Sequence, residues 1–296
     1  MDLFRPPTGA SMPAGHWLRE ARDQLASVGI ESAALDARML LIDGLGIPHS
    51  VFIADPQLML EPGELLKLEA MLHRRLQHEP VSRILGWREF YGRRYVINEH
   101  VLDPRPDTET LVTAALAAMG KTETCRLLDI GTGTGCIAIT LLAERQDWSG
   151  TATDISAQAL RIAGTNAEKL RVSDRLELRE TCWADGVEGP FDLIVSNPPY
   201  IAGAEIPGLM PEVAKYDPHT ALDGGLDGLA AYRSIVESVP DLLAPGGLCV
   251  MEVGVAQAGA VYELAENRGL TRFAALGLQV HDFADIERVV VLSHAG

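Results

Sequence analysis

The chain has 296 residues, 47% of them hydrophobic, enough for one large domain beside a smaller one. Its 25 Lys and Arg against 41 Asp and Glu leave a net charge of −16; stable nucleic-acid binding is not expected, because nonspecific affinity comes from cations set against phosphates. No apolar run approaches the roughly 18 residues of a membrane span, Met1 to Pro6 lacks a signal peptide's basic start and apolar core, and Cys125, Cys136, Cys182 and Cys249 show no C-x-x-C spacing. A cytoplasmic protein is expected, without membrane attachment, metal cluster or disulfide framework, its cysteines serving as small buried apolar side chains.

Residues 1–13, rich in Pro, Gly and Ser, read as a frayed lead-in to an N-terminal helical domain spanning 1–80. Within it Trp17, Leu18, Ala21 and Leu25 share one stripe, Leu35, Met39, Leu40 and Ile42 a second, and Leu65, Leu68, Met71, Leu72 and Leu76 a third. Gly29, Gly44-Leu45-Gly46 and Asp55-Pro56 separate them. Apolar stripes at helical spacing make a core, so this bundle is assigned no chemistry.

Residues 81–105 read as a β-hairpin linker. From Arg83 to Tyr95 basic and aromatic residues interleave around Gly92, which is hairpin grammar with long side chains in solvent; a contact surface for RNA or a partner is the alternative. Pro104-Arg105-Pro106-Asp107-Thr108-Glu109 then marks the seam, with Asp107 suited to cap a helix beginning near Thr108 and Glu109 to its first turn.

From 106 to 296 short apolar strands alternate with helical patterns: Arg126 to Ile130, Thr151 to Ile155, Leu176 to Arg179, Asp192 to Ser196, Leu248 to Glu252 and Arg288 to Leu292. Such alternation predicts an α/β domain with a mostly parallel, Rossmann-like sheet, whose ligands sit at the carboxyl ends of strands. The first strand runs into Gly131-Thr132-Gly133-Thr134-Gly135, and a helical pattern follows from Cys136. Its glycines are spaced by two and two, whereas the dinucleotide fingerprint needs two and three, so pyrophosphate is disfavoured. The tighter spacing suits a ligand without phosphates, such as S-adenosylmethionine (SAM). Asp154 ends the next strand, where a carboxylate can accept both hydroxyls of a ribose. Trp183, after the third strand, is a candidate to flank an adenine ring and equally a partly buried core tryptophan.

After the fourth strand comes Ser196-Asn197-Pro198-Pro199-Tyr200. The two prolines stiffen the backbone, so the Asn197 side-chain oxygen and the Pro198 carbonyl form a fixed pair of acceptors for a flat –NH2 group, with Tyr200 as a wall. Asn197, Pro198 and Tyr200 are therefore the catalytic candidates, and Asn197 to Tyr200 the substrate-binding turn.

Together, the glycine loop, Asp154 and Asn197 to Tyr200 resemble the class I SAM-dependent methyltransferases that act on planar –NH2 groups. Within that class the chain resembles the HemK/PrmC family of protein-(glutamine-N5) methyltransferases. The likeness is carried by Gly29 to Ser32 with Leu35 to Leu41, Glu79-Pro80-Val81, Ile84-Leu85-Gly86, Arg88 to Gly92, Pro104 to Glu109, the glycine loop, Asn197 to Tyr200, Ala221 to Leu229, Pro245-Gly246-Gly247 and Glu287 to Val290. Two residues depart from the family pattern, Asp103 for an aliphatic residue and Asp217 for a Glu. The resemblance implies SAM as methyl donor and S-adenosylhomocysteine as product, bound by Gly131 to Gly135, Asp154, Trp183 and Asn197. It also implies class I peptide chain release factors as protein partners, methylated on the glutamine of their Gly-Gly-Gln tripeptide in the service of translation termination. The alternatives are a ribosomal-protein glutamine methyltransferase, a nucleic-acid adenine methyltransferase and a noncatalytic SAM-binding scaffold.

Overall fold

The structure, a computed structural model, describes residues 10–55, 57–274, 278, 280–282 and 285–294. The first nine residues of the expected lead-in, and Pro56, lie outside them. Contacts divide the chain after Gly86 into two units.

The first unit holds helices α1 (Ala14–Ser27), α2 (Ala33–Leu45), α3 (His49–Ala54), α4 (Pro62–Leu76) and α5 (Val81–Leu85), with short strands β1 (Met12–Pro13) and β2 (Met59–Leu60) paired antiparallel. α1 buries Trp17, Ala21 and Leu25, as its stripe requires. α4 starts on a capping box, Glu61 with Glu64, and has Pro62 at its first position. α2 departs from the expected stripe: Leu35 is 59% exposed, and Ala33, Asp36, Ala37, Leu40 and Leu41 face inward. The cause is an ion pair between α2 and α4, in which Arg75 Nε donates to Asp36 Oδ2 at 2.7 Å with both side chains buried. Turning Asp36 inward turns its neighbour Leu35 outward. A second correction concerns 81–85, expected in the hairpin linker. This segment is a helix, ended by Gly86 at φ 78°, and it contributes Val81 and Ile84 to the core of the first unit.

The second unit opens with a hairpin of β3 (Trp87–Phe90) and β4 (Arg93–Val96), turning on Tyr91 and Gly92, both at positive φ as a type I′ turn demands. Phe90 and Tyr95 point into the core, edge to face at 6.0 Å between centroids. The hairpin's cations are largely committed: Arg93 pairs with Glu144 at 2.7 Å and the Arg94 guanidinium lies 3.8 Å from the centroid of the Trp87 ring.

Then follow α6 (Glu109–Met119), β5 (Cys125–Ile130), α7 (Cys136–Glu144), β6 (Trp148–Asp154), α8 (Ala157–Lys169), β7 (Leu176–Glu180), β8 (Phe191–Ser196), α9 (Pro211–Ala214), α10 (Ala230–Leu242), β9 (Leu243–Glu252), α11 (Ala258–Glu266), β10 (Leu270–Arg272) and β11 (Val289–His294). Among the described residues one sheet runs β10-β11-β9-β8-β5-β6-β7, parallel from β9 to β7 and antiparallel at the β10-β11 edge. Each expected strand is present, and β10 is an addition. Period-2 alternation gives the sheet two apolar faces. Leu127, Leu193 and Val195 join one core cluster with residues of α6 and α7, while Leu128, Ile130 and Ile194 join another with residues of α10 and α11.

Candidate functional site

Strands β5 and β8 are neighbours, yet the chain leaves β5 toward β6 and β7 and returns to β8 on the opposite side. At such a reversal the loops after the two strands diverge and leave a crevice at their carboxyl ends. A cavity of about 600 Å³ lies there, lined by Gly131 to Thr134, Asp154, Trp183, Asn197 and Pro199, and by Thr108 from the segment before α6.

The glycine loop carries the backbone over β5 in conformations that side chains resist. Gly133 has φ +56°, and a Cβ placed on it would meet no atom within 4 Å, so the loop leaves free space above its backbone. Gly135 has φ +79°, and a Cβ there would lie 2.6 Å from Ile139 Cδ1 in the first turn of α7. Behind the loop Asp129 is fully buried; its Oδ2 accepts the Thr132 hydroxyl at 2.7 Å and the Ala138 amide at 3.3 Å, while Oδ1 has no partner. Burial pushes this carboxyl up to about 6.

Asp154 is aimed by backbone donors. Its Oδ2 accepts the Gly133 amide at 2.9 Å and its Oδ1 the Ser156 amide at 2.9 Å, which leaves further lone pairs free for a ligand. Burial raises its pKa above the usual carboxylate value, although both amides oppose the shift. The Trp183 backbone carbonyl accepts the Thr153 hydroxyl at 2.7 Å, which ties the tryptophan to the end of β6 on the cavity wall. Cys182 beside it is exposed, a correction to the expectation of four buried thiols, because it follows β7 into the rim.

Of the Asn197 turn, Asn197 and Pro199 line the cavity and Pro198 and Tyr200 do not. The Asn197 Nδ2 donates to Thr108 Oγ1 at 3.1 Å. Tyr200 is drawn the other way, its hydroxyl donating to Glu252 Oε1 at 3.4 Å and its carbonyl accepting Gln257 Nε2 at 2.9 Å. The segment from Ala221 to Leu229 braces the turn: the Ile201 amide donates to the Leu222 carbonyl at 3.1 Å and the Gly224 amide to the Ile201 carbonyl at 2.8 Å. Both family departures are accommodated by cations, Asp217 by Arg105 at 2.5 Å and Asp103 by Arg88 at 3.9 Å.

Asp107 does not cap the helix that follows. Pro106–Thr108 form a 3-10 turn continuous with α6, neither of them capped by a side chain, and the Asp107 carboxylate instead meets Arg288 at 3.5 Å. Glu109 does occupy the first turn, where it also accepts the Tyr91 amide at 2.7 Å. Thr108, Asp129 and Glu252 were not among the sequence candidates. Their shared signal was available for the two acids, since each interrupts an apolar strand at the end that meets a glycine-containing loop. Glu252 is 2% exposed at the end of β9, and desolvation pushes it up to about 7.

Fold and site together define a class, the SAM-dependent methyltransferases, in which SAM is the methyl donor. A solved structure of the same fold, "hMettl16 catalytic domain in complex with MAT2A 3'UTR hairpin 6", superposes with a TM-score of 0.55 at 20% identity, over 72% of this chain and 81% of that one. Residues 16–86 match the PrmC N-terminal domain and residues 106–214 the methyltransferase small domain. The release factor glutamine methyltransferase of Cereibacter sphaeroides is 47% identical over 268 residues, 90% of this chain and 94% of the relative. That of Rhodospirillum rubrum is 46% identical over 264 residues, 88% and 80% respectively. The chain belongs to the family of release factor glutamine methyltransferases. Among the described residues no helix is long and apolar enough to cross a membrane.

Proposed function

We propose that the protein transfers a methyl group from SAM to the side-chain amide nitrogen of the glutamine in the Gly-Gly-Gln tripeptide of class I peptide chain release factors, in the cytoplasm. The observation that carries the reading is Asn197: its Nδ2 donates to Thr108, and the residue lines the same cavity as the glycine loop. An amide so tied presents its oxygen to an incoming –NH2 group.

The residues around the cavity fit a nucleoside with a short charged tail. The open space over Gly131 and Gly133 admits a ligand close to the backbone, and the remaining lone pairs of Asp154 suit two ribose hydroxyls. Trp183 is assigned to the adenine edge, and Thr132 and Thr134 to the loop wall. When bound, SAM supplies an electrophilic methyl on a sulfonium.

The chain's own task is to aim a poor nucleophile. A carboxamide nitrogen shares its lone pair with the carbonyl, so two acceptors that grip its hydrogens favour the electron distribution that attacks. Asn197 Oδ1 takes one hydrogen and the Pro198 carbonyl is assigned the other, with Tyr200 supporting the turn from behind. Orientation of this kind contributes roughly 7–11 kcal/mol in the most favourable intramolecular cases. No general base is required, because the nitrogen sheds a proton once it has become cationic.

The test is to supply methyl-labelled SAM with release factor, ribosomal protein or nucleic acid and to locate the label by mass spectrometry. Label on the release-factor glutamine is expected; label confined to nucleic acid overturns the proposal. Asn197→Ala is expected to cut turnover far more than SAM affinity, and equal loss of both would remove its catalytic role.

A further inference from the structure

The turn from Asn197 to Tyr200 has few backbone donors of its own. Pro198 and Pro199 carry no amide hydrogen, so the turn must be held from its flanks. Upstream the anchor is the end of β8, where the Ser196 hydroxyl donates to the Ile130 carbonyl at 2.7 Å. Downstream the Tyr200 carbonyl accepts Gln257 Nε2 at 2.9 Å, from the segment between β9 and α11.

The orientation of the Gln257 amide is settled by its neighbours. Its Oε1 accepts the Gly254 amide at 3.0 Å, and a backbone N–H can only donate. With the oxygen end so engaged, the –NH2 end faces the Tyr200 carbonyl, which can only accept. The Gln257 backbone amide closes the same turn by donating to the Gly254 carbonyl at 3.1 Å. Inside it Ala256 has φ +63°, a left-handed conformation that a residue with a Cβ adopts at a cost, and such strain clusters at functional sites. Two glycines leave room for the bond. A Cβ on Gly254 would lie 2.6 Å from Gln257 Oε1 and 3.0 Å from Tyr200 Cδ2. A Cβ on Gly228 would collide with the Tyr200 carbonyl oxygen and lie 2.6 Å from Gln257 Nε2, against both ends of the same hydrogen bond.

We propose that Gln257 is a positioning residue for methyl transfer: by holding the Tyr200 carbonyl it fixes the exit of the turn, and with it the direction of the Pro198 carbonyl assigned to grip the substrate amide. The inference rests on the amide-methylation reading of the Asn197 turn and names what holds that turn in place. The coupling is short. The ring of Pro199 locks its φ, so only ψ of Pro199 and φ and ψ of Tyr200 are soft between the two carbonyls. The Tyr200 hydroxyl, donating to Glu252 Oε1 at 3.4 Å, restrains the same residue from its side chain. Gln257 does not line the cavity, so its influence on the reaction passes through the turn.

The test measures kcat and KM for methylation of release factor at pH 8, with SAM affinity by calorimetry, for the wild type, Gln257→Met and Gln257→Glu. Methionine keeps the bulk and makes neither bond. Glutamate keeps an acceptor for the Gly254 amide but, ionised, sets an oxygen against the Tyr200 carbonyl. Both variants are expected to lose about 10-fold in kcat, the worth of one well-placed hydrogen bond, with KM for release factor and SAM affinity held within about twofold. Wild-type kcat in either variant would overturn the proposal. So would a loss that falls on KM or SAM affinity in place of kcat, the mark of a collapsed site and not of a misdirected turn. Wild-type turnover in Asn197→Ala would instead refute the reading of the turn, and the role of Gln257 would fall with it.

Discussion

Glu252→Gln is expected to make the protein more stable, and only above acid pH. The carboxyl has an ordinary value of 4.5 and is pushed up to about 7, chiefly by desolvation at the end of β9. Below pH 4.5 the group is protonated in both folded and unfolded chains and contributes no difference. Between 4.5 and 7 the unfolded chain releases the proton while the folded one keeps it, so stability falls as pH rises; above 7 both are ionised and the penalty is constant. The gap between the two values corresponds to about 3 kcal/mol. Glutamine is neutral at every pH, has nearly the same shape and can still accept the Tyr200 hydroxyl that donates to Oε1 at 3.4 Å. The variant should therefore match the wild type near pH 4 and exceed it by about 3 kcal/mol at pH 8, a rise of roughly 6–12 °C in melting temperature for a unit of this size. Thermal and urea denaturation of both proteins across that range measures the difference directly, and groups common to both cancel. A gap of equal size at pH 4.5 and pH 8, or a variant less stable at pH 8, would refute the reasoning, because neither can arise from a desolvated carboxylate.

Three other substitutions test separate parts of the structure. Asp154→Ala should weaken SAM binding at least about 100-fold, since on the proposed reading it removes a charged acceptor of two hydroxyls; isothermal titration with unchanged affinity would reject Asp154 as the ribose ligand. Gly228→Ala should lower the melting temperature, by about 2 kcal/mol or more in unfolding free energy: the residue has φ +74°, and a Cβ there would collide with the Tyr200 carbonyl oxygen and lie 2.6 Å from Gln257 Nε2. Undiminished stability would mean that the Asn197 turn is not braced from that side. In the first unit, Asp36→Ala should cost roughly 3–5 kcal/mol by removing the carboxylate that buried Arg75 Nε meets, and the double substitution Asp36→Leu with Arg75→Met should recover most of it; urea melts in which the double is no better than the single would contradict the ion-pair account of α2.

The parts of the site that were readable in the sequence are those in which neighbouring residues do one job. A strand, three glycines and a helix lie end to end, as do an apolar strand and the Asn197 turn, so the local pattern carried the geometry. Asp154 was readable through its place in the order of strands. What was not readable depends on partners distant in the chain. Asp36 reads as a polar gap in an amphipathic helix, and only Arg75 on α4 turns it inward and Leu35 outward. Asp107 reads as a cap until Arg288 competes for its carboxylate. Tyr200 reads as a cavity wall, but a buried phenol needs a partner for its hydroxyl, and Glu252 supplies one on the far side of the turn.

Asp129 and Glu252 solve a common problem by the same means. Each ends, or nearly ends, a strand beneath the cavity, and neither lines it. Asp129 accepts the hydroxyl of Thr132, which does line it, and Glu252 accepts that of Tyr200, which does not, and both acids are raised by burial. A carboxylate in the wall itself would place a full charge beside the reacting amide and draw water to it. Set behind a hydroxyl, the same charge orients a hydrogen bond without itself standing in the wall. The arrangement costs stability at each position, since burial disfavours the ionised form that the task requires. A neutral hydrogen-bonding residue in place of either acid should therefore strengthen the fold and loosen the site, and the two effects should separate with pH.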